Sequence, residues 1–290
     1  MKPISLSKIH EYTIENSIDL KEPVYPFLIG DYSNEKKEGY VVSSFHGRSV
    51  IVNKINDDEY IILKGCGLTY TSNHFIDCNE FEDYGHLWGY LDLQSANRDF
   101  MIGTFCKSIG IKTGYYQYVV KLNQQIGTYK QNGLYPYLLQ YKVKCPIRLY
   151  DLPFVDVKEA YYHLNKVKDE NLTYYESFAK ILFQQLLILH NNNVFYNGMN
   201  TINVSAQCEL LDWESSSTDD LPYGNDFDLK CKDLFPRELL SIFNICYFLS
   251  IFTKEQYDPR KVEQIKNEIY VPGIKNTFMK NNLLLIQAIR

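Results

Sequence analysis

Near residue 150 the hydrophobic pattern of this chain changes period. Before that point, GYVVSSFHGRSVIVNKINDDEYIILKG, starting at Gly39, places short β-branched and aromatic runs between turn residues, and YQYVVKL and YPYLLQYKV repeat the device. Short runs of this kind bounded by turn formers are strands, and YVVSSF, SVIV and YIILK read as three antiparallel strands turning at HGR and NDDE. Beyond it, YYESFAKILFQQLLILHNNN carries apolar residues at helical spacing and closes on an asparagine triplet suited to left-handed caps. An apolar helix over 237–253 and a charged helix from about Asp258 follow. Strands first and helices after them make an α+β chain. The junction is expected between Cys145 and Asp156.

The rest of the chain fits around this division. Residues 1–38 are polar, end in the charged turn DYSNEKKEG, and read as an N-terminal extension ahead of a β-rich part over 39–150 and a helical part over 151–290. The stretch from Leu68 to Gly89 is polar and irregular, a long loop. SANRDFMIGTFCKSIGI has helical spacing at Phe100, Met101, Thr104, Phe105 and Ile109 and stops at Gly110, as a helix C-terminus does. No internal repeat is visible.

Composition excludes several classes. A net charge of -5 argues against binding nucleic acid through a broad positive field. The N-terminus lacks the apolar core of a secretory signal. Leu239 to Phe252, about fourteen residues interrupted by Asn244 and two serines, reads as a buried helix too short for a bilayer. Seven cysteines stand singly without a CxxC pair, the pattern of reduced core thiols in a cytoplasmic protein. The 25 tyrosines fall mostly on expected strands and helix faces, where compositional drift accounts for them.

Four residues give the β-then-α order chemical meaning. A protein-kinase-like ATP-binding fold, with a β-rich N-lobe and an α-helical C-lobe, needs a lysine on the third strand and an acid on the following helix. It also needs an Asn after a long C-lobe helix and an Asp after a short hairpin, the last two for metal. Triphosphate charge must be neutralised, and Mg²⁺ takes hard oxygen ligands. Lys64 ends YIILK, Asp99 sits on the next helix, Asn203 follows the long helix, and Asp212 comes after Leu210 and Leu211. Singly, each is an ordinary surface or turn residue; their order carries the reading.

Three segments are more specific. LKGCGLTYTS resembles the KGAG-TPYS element of the selenoprotein O family, pseudokinase-fold enzymes that transfer AMP from ATP to protein hydroxyls. RDFMIGTFCKSIGIKT resembles that family's RE helix ending in LGIPTT. FYNGMNTINVSAQCELLDWES resembles its HGVMNTDN catalytic loop followed by a metal aspartate. The resemblance covers about Gly39 to Ser215. It implies that Lys64, with Gly65 and Gly67 beside it, meets the nucleotide phosphates, that Asp99 replaces the family's glutamate as the partner of Lys64, and that Asn203 and Asp212 hold Mg²⁺. Arg148, in YKVKCPIRLYD, resembles a phosphate-contacting arginine, with Lys142 as its rival. In this family the nucleotide lies reversed relative to ordinary kinases, so the α-phosphate faces the acceptor.

The chain departs from the family pattern at several points. The loop aspartate before the metal Asn, a general base, is Ile202 here, and the loop histidine is Tyr196. The basic GDGR stretch is replaced by NHFIDCNEFEDYG, the YAGHQFG element has no counterpart, and the C-terminal redox cysteine is absent. The expected function is ATP- and Mg²⁺-dependent transfer of AMP to a protein or peptide hydroxyl in the cytoplasm, without nucleic-acid or membrane partners. Phosphoryl transfer at the same residues and silent ATP binding by a scaffold are the alternatives.

Other constellations are blander. His74, Cys78 and His86 fit no structural zinc spacing and read as a solvated loop. Cys66 is expected to be a small residue rather than a reactive thiol. His190 closes the long helix, where an imidazolium would suit the C-terminal dipole. Asp219 and Asp220 read as a surface turn.

Overall fold

The computed structural model describes residues 1–18, 21–41, 48–67, 89–125, 135–222 and 231–271. The chain divides into two compact units, one of residues 1–101 with 114–146 and the other of residues 102–113 with 147–290.

The first unit is built on an eight-stranded antiparallel sheet. Its strands are β1 (Lys2–Lys8), β2 (Tyr12–Ser17), β3 (Phe27–Ile29), β4 (Lys36–Val41), β5 (Ser49–Asn56), β6 (Glu59–Lys64), β7 (Tyr115–Leu122) and β8 (Tyr137–Val143). In space they run β2-β7-β8-β6-β5-β4-β1-β3. β5 and β6 form a hairpin across Asp57 and Asp58, and β6 also pairs with β8, so it is central and has partners on both sides. Its residues Tyr60 to Lys64 are all buried, as a strand covered on two faces requires. Odd positions Ile61 and Leu63 join Val50, Val52, Val120 and Leu138 in one apolar cluster. Even positions point the other way, and Lys64 ends that row.

The first 38 residues are not an extension. They supply β1, β2 and β3, and Ile4, Leu6, Ile9 and Leu28 enter the same cluster as Ile61 and Leu63. Alternation in KPISLSK buries Ile4 and Leu6 on one face. Its polar neighbours hide a strand whose partners, β4 and β3, lie far along the chain.

The helix α1 (Leu93–Ser108) begins after Asp92, whose side chain accepts from the Ser95 amide at 2.7 Å in the manner of an N-cap. The unit boundary falls inside it. In the second unit a 3₁₀ turn (Leu149–Phe154) leads to α2 (Val157–Asn165), α3 (Tyr174–Asn191), the short strands β9 (Val194–Phe195) and β10 (Ser217–Thr218), α4 (Cys231–Thr253) and α5 (Pro259–Ile269). α3 opens with a capping box in which Thr173 and Glu176 satisfy each other's backbone amides. It buries Phe178, Leu182, Phe183, Leu186 and Leu189, and the core face of α4 adds Leu234, Ile242, Ile245 and Leu249. Each such side chain contributes about 1.5–3 kcal/mol by leaving water. Asn193, in the expected asparagine triplet, takes the left-handed conformation with φ 54° and turns the chain into β9.

α4 has 23 residues, so it is longer than its apolar run and is long and apolar enough to cross a bilayer by length and composition. Leu240, Tyr247 and Ile251 lie exposed on the side away from its buried row.

Candidate functional site

In the first unit, the parity of β6 turns Lys64 toward Asp99 of α1. Lys64 Nζ donates to Asp99 Oδ2 at 2.7 Å, with side chains only 4% and 2% exposed. The second carboxylate oxygen is also engaged, accepting from Tyr116 Oη of β7 at 3.1 Å. Tyr116 is held in turn, stacked on Tyr141 with centroids 5.3 Å apart and edge-on to Phe100 of α1. Asp99 therefore has one rotamer that satisfies both partners. The shorter acid reaches the lysine because the aromatic contacts draw α1 close to the sheet.

The glycines after Lys64 serve the backbone. Gly65 has φ 90°, and a Cβ there would stand 2.6 Å from the Tyr137 carbonyl oxygen and 2.8 Å from Leu91 Cγ. Its amide donates to the Arg48 carbonyl, and the Gly67 amide donates to that of Gly89. Both amides are thus engaged with backbone carbonyls, that of Arg48 just ahead of β5 and that of Gly89 ahead of α1. Cys66 between them is fully buried, and burial pushes its thiol up to about 12, which keeps it unreactive. Lys142 pairs with Glu22 at 2.6 Å within this unit.

The second unit organises Asn203 and Asp212 around Tyr196. A hairpin bridged at Val204 and Leu210 connects them, and the Leu211 amide donates to the Asn203 carbonyl at 3.0 Å. The buried Tyr196 hydroxyl sits between the two chain ends. It accepts from the Leu211 amide at 3.0 Å, lies 3.2 Å from the Asn203 carbonyl oxygen, and makes a short contact with the Leu211 carbonyl. Its ring packs on Trp213, whose indole N–H donates to Thr113 at 2.9 Å. Tyr196 thus fixes the backbones that carry Asn203 and Asp212. Its hydroxyl is committed there and is not available to a substrate.

Asp212 itself adopts φ 70°, a left-handed conformation uncommon for a residue with a side chain. Such strain persists where the surroundings over-determine it, and it gathers at functional sites. Asn203 and Asp212 are both half-buried. An amide oxygen and a carboxylate from adjacent chain segments suit the oxygen preference of Mg²⁺.

The loop ahead of Asn203 is stabilised by Asn200, whose side-chain oxygen accepts from the amides of Ile202 and Asn203 at 2.9 and 3.0 Å. Ile202 is 54% exposed. Arg148, 7% exposed, donates from Nη1 to the Ile202 carbonyl at 3.3 Å. This arginine, expected at a phosphate, holds the loop.

Two buried residues were misjudged or missed from sequence. His190 is not an imidazolium at a helix end. Burial drives its ring down to about 3, and its Nε2 meets Glu238 of α4 at 2.8 Å. Glu238 accepts from the Asn197 amide of the loop at 3.1 Å. An isolated acid inside FPRELLSIF was the available signal. The six described cysteines are all buried, and none forms a disulfide with another described residue. His74, Cys78 and His86 lie outside the described residues.

No family model matches this sequence, and no curated protein matches it. Among solved structures, the crystal structure of the Toxoplasma gondii specific rhoptry antigen kinase domain is similar at 9% identity with a TM-score of 0.34. The match covers 83% of this chain and 76% of that one. At that level the function has to be argued from the residues themselves.

Proposed function

We propose that the chain is a protein-kinase-like transferase that moves AMP from ATP to a hydroxyl of a protein or peptide, with Mg²⁺ as its cofactor. The buried Lys64–Asp99 pair carries this reading. Taking two charges out of water costs several kcal/mol per ion, and apolar residues of similar volume are often at least as stabilising. A lysine and an acid buried against each other are therefore better explained by chemistry than by stability. A strand lysine paired with a helix acid is the element that phosphoryl-transfer folds use to hold ATP phosphates.

In this assignment Lys64 neutralises phosphate charge and Asp99, fixed by Tyr116, keeps the ammonium in one place. Asn203 and Asp212 hold the metal, whose chemistry is to offset charge on the phosphate oxygens. The acceptor oxygen bonds to the α-phosphorus, the bond from that phosphorus to the β-phosphate bridge breaks, and pyrophosphate leaves. Residues 196–203 contain no carboxylate or imidazole, so the hydroxyl proton passes to solvent. Absence of a positioned base lowers the rate by ~10²- to 10⁴-fold.

Ile202 supports a second reading, a silent ATP-binding protein that scaffolds a partner. Incubation with candidate acceptors and ATP labelled at the α- or the γ-phosphate separates the cases, beside an Asp212→Ala control. Label from the α-phosphate alone supports AMP transfer, whereas label from the γ-phosphate alone makes the protein a kinase. No transfer, with Mg²⁺ and ATP still raising the melting temperature, selects the silent protein.

A further inference from the structure

A buried chain of hydrogen bonds in the second unit ties the end of α5 to the loop before Asn203. Tyr270, just after α5, places its hydroxyl 2.7 Å from His190 Nδ1 at the end of α3. His190 Nε2 lies 2.8 Å from Glu238 Oε2, both side chains 2% exposed. Glu238 Oε1 then accepts from the Asn197 amide. Asn197 has φ 55°, so the backbone turns sharply where that bond is made. Phe235 lies flat on the imidazole, with centroids 3.6 Å apart and planes 5° apart, which leaves the ring a single orientation.

We propose that His190 is a positioning residue for the Tyr196–Asn203 loop, oriented by Tyr270 and Phe235 and acting through Glu238. A buried carboxyl keeps a fixed rotamer only while its oxygens are satisfied, and His190 satisfies one while the Asn197 amide satisfies the other. Removing the imidazole partner frees Glu238 to turn, and the Asn197 amide loses its acceptor. Tyr196 immediately precedes Asn197 and Asn203 follows it in the same short loop, so the displacement reaches the carbonyl that the Tyr196 hydroxyl holds. The groups facing His190 come from α4 (Glu238 and Phe235) and from the end of α5 (Tyr270). The bonding network stands on its own geometry, while its catalytic consequence rests on the transferase reading above.

The test uses the full chain and compares amide hydrogen exchange in the wild type, His190→Phe, His190→Gln and Tyr270→Phe. His190→Phe keeps the ring stacked on Phe235 and removes both hydrogen bonds. Asn197 exchange is expected to accelerate about tenfold in His190→Phe and about threefold in Tyr270→Phe, with the Phe183 amide in the core of α3 unchanged. His190→Gln, which returns a donor near the Nε2 position, is expected to bring Asn197 back toward wild type. Unchanged Asn197 exchange in the variants that fold, or equal acceleration at Asn197 and Phe183, overturns the proposal. Tyr270→Phe, which loses one hydroxyl, decides the matter if His190→Phe does not fold. Mg²⁺-ATP affinity is measured beside it and is expected to fall about tenfold in His190→Phe. A wild type that binds no Mg²⁺-ATP refutes the transferase reading, and the exchange comparison still decides the role of His190.

Discussion

Lys64 Nζ and Asp99 Oδ2 meet 2.7 Å apart in the interior of the first unit, with Tyr116 securing the other carboxylate oxygen. Thirty-five positions separate the two residues along the chain. Removing one partner leaves the other charged and unsolvated. Lys64→Met is expected to destabilise the protein by about 3–5 kcal/mol in urea unfolding, and Lys64→Met with Asp99→Leu to recover much of that loss. Both variants should lose ATP binding. Recovery of stability together with ATP binding in the double variant would refute a phosphate-holding role for Lys64.

Tyr196→Phe removes the hydroxyl that joins the Asn203 and Leu211 backbones. The Leu211 amide and the Asn203 carbonyl keep their bond to each other, so the loss is that of the hydroxyl's own hydrogen bonds, about 0.5–1.5 kcal/mol, which chemical denaturation will report. Mg²⁺-dependent nucleotide affinity should weaken in parallel. A stable variant with unaltered affinity would leave Tyr196 as packing alone.

At Asp212 the backbone and the side chain make opposite demands. Glycine adopts φ 70° without steric penalty, so Asp212→Gly is expected to be more stable than Asp212→Ala by about 0.5–1 kcal/mol. Neither should respond to Mg²⁺ in a nucleotide-binding titration. Equal stability of the two would mean that Asp212 is unstrained.

Ile202 lies exposed where the resemblance places a general base. Ile202→Asp should change stability by no more than about 0.5 kcal/mol, as exposed substitutions do. It should raise transfer from α-labelled ATP by ~10²-fold or more. An unchanged rate, with nucleotide binding intact, would place the base elsewhere or remove AMP transfer from consideration.

His190 and Glu238 give stability two pH limbs. Burial pushes the Glu238 carboxyl up from 4.5 to about 8, against the pull of the Asn197 and Tyr196 amides. The folded protein then retains a proton that the unfolded chain has released, so this contribution is complete below pH 4.5 and is lost as pH rises through 8. Burial lowers His190 from 6.5 to about 3, so its contribution is complete above pH 6.5 and is lost as pH falls through 3. The two slopes cancel between 4.5 and 6.5, where the urea midpoint should be highest. Glu238→Gln should abolish the decline between pH 6.5 and 8. A midpoint that falls across that range as steeply in Glu238→Gln as in the wild type would assign the alkaline limb to another group.

Much of the secondary structure was legible because periodicity is local. β5, β6, β7, β8, α3 and α5 lie where alternation or helical spacing puts them, and α1 begins a few residues ahead of its expected segment. β1 and β2 were hidden because short, largely polar strands declare themselves only through partners, and β2 pairs with β7 about a hundred residues away; β3, at three residues, is too short to show a period. At the candidate site, lysine, acid, Asn and Asp could be named from order. Tyr116, which fixes Asp99, could not be distinguished among so many tyrosines. Tyr196 was singled out only by the residue it replaces.

The chain's own pattern determined that strands precede helices, that Lys64 ends a strand, and that Ile202 stands where a base is expected. Residue type and spacing are enough for such statements, since they depend on neighbours within a few positions. Tertiary structure decided which groups are already spent: Gly65 and Gly67 on neighbouring carbonyls, Arg148 on Ile202, Lys142 on Glu22, His190 on Glu238 and Tyr270. A buried donor or acceptor must find its complement wherever the fold brings one, and that partner is fixed by packing rather than by distance along the chain.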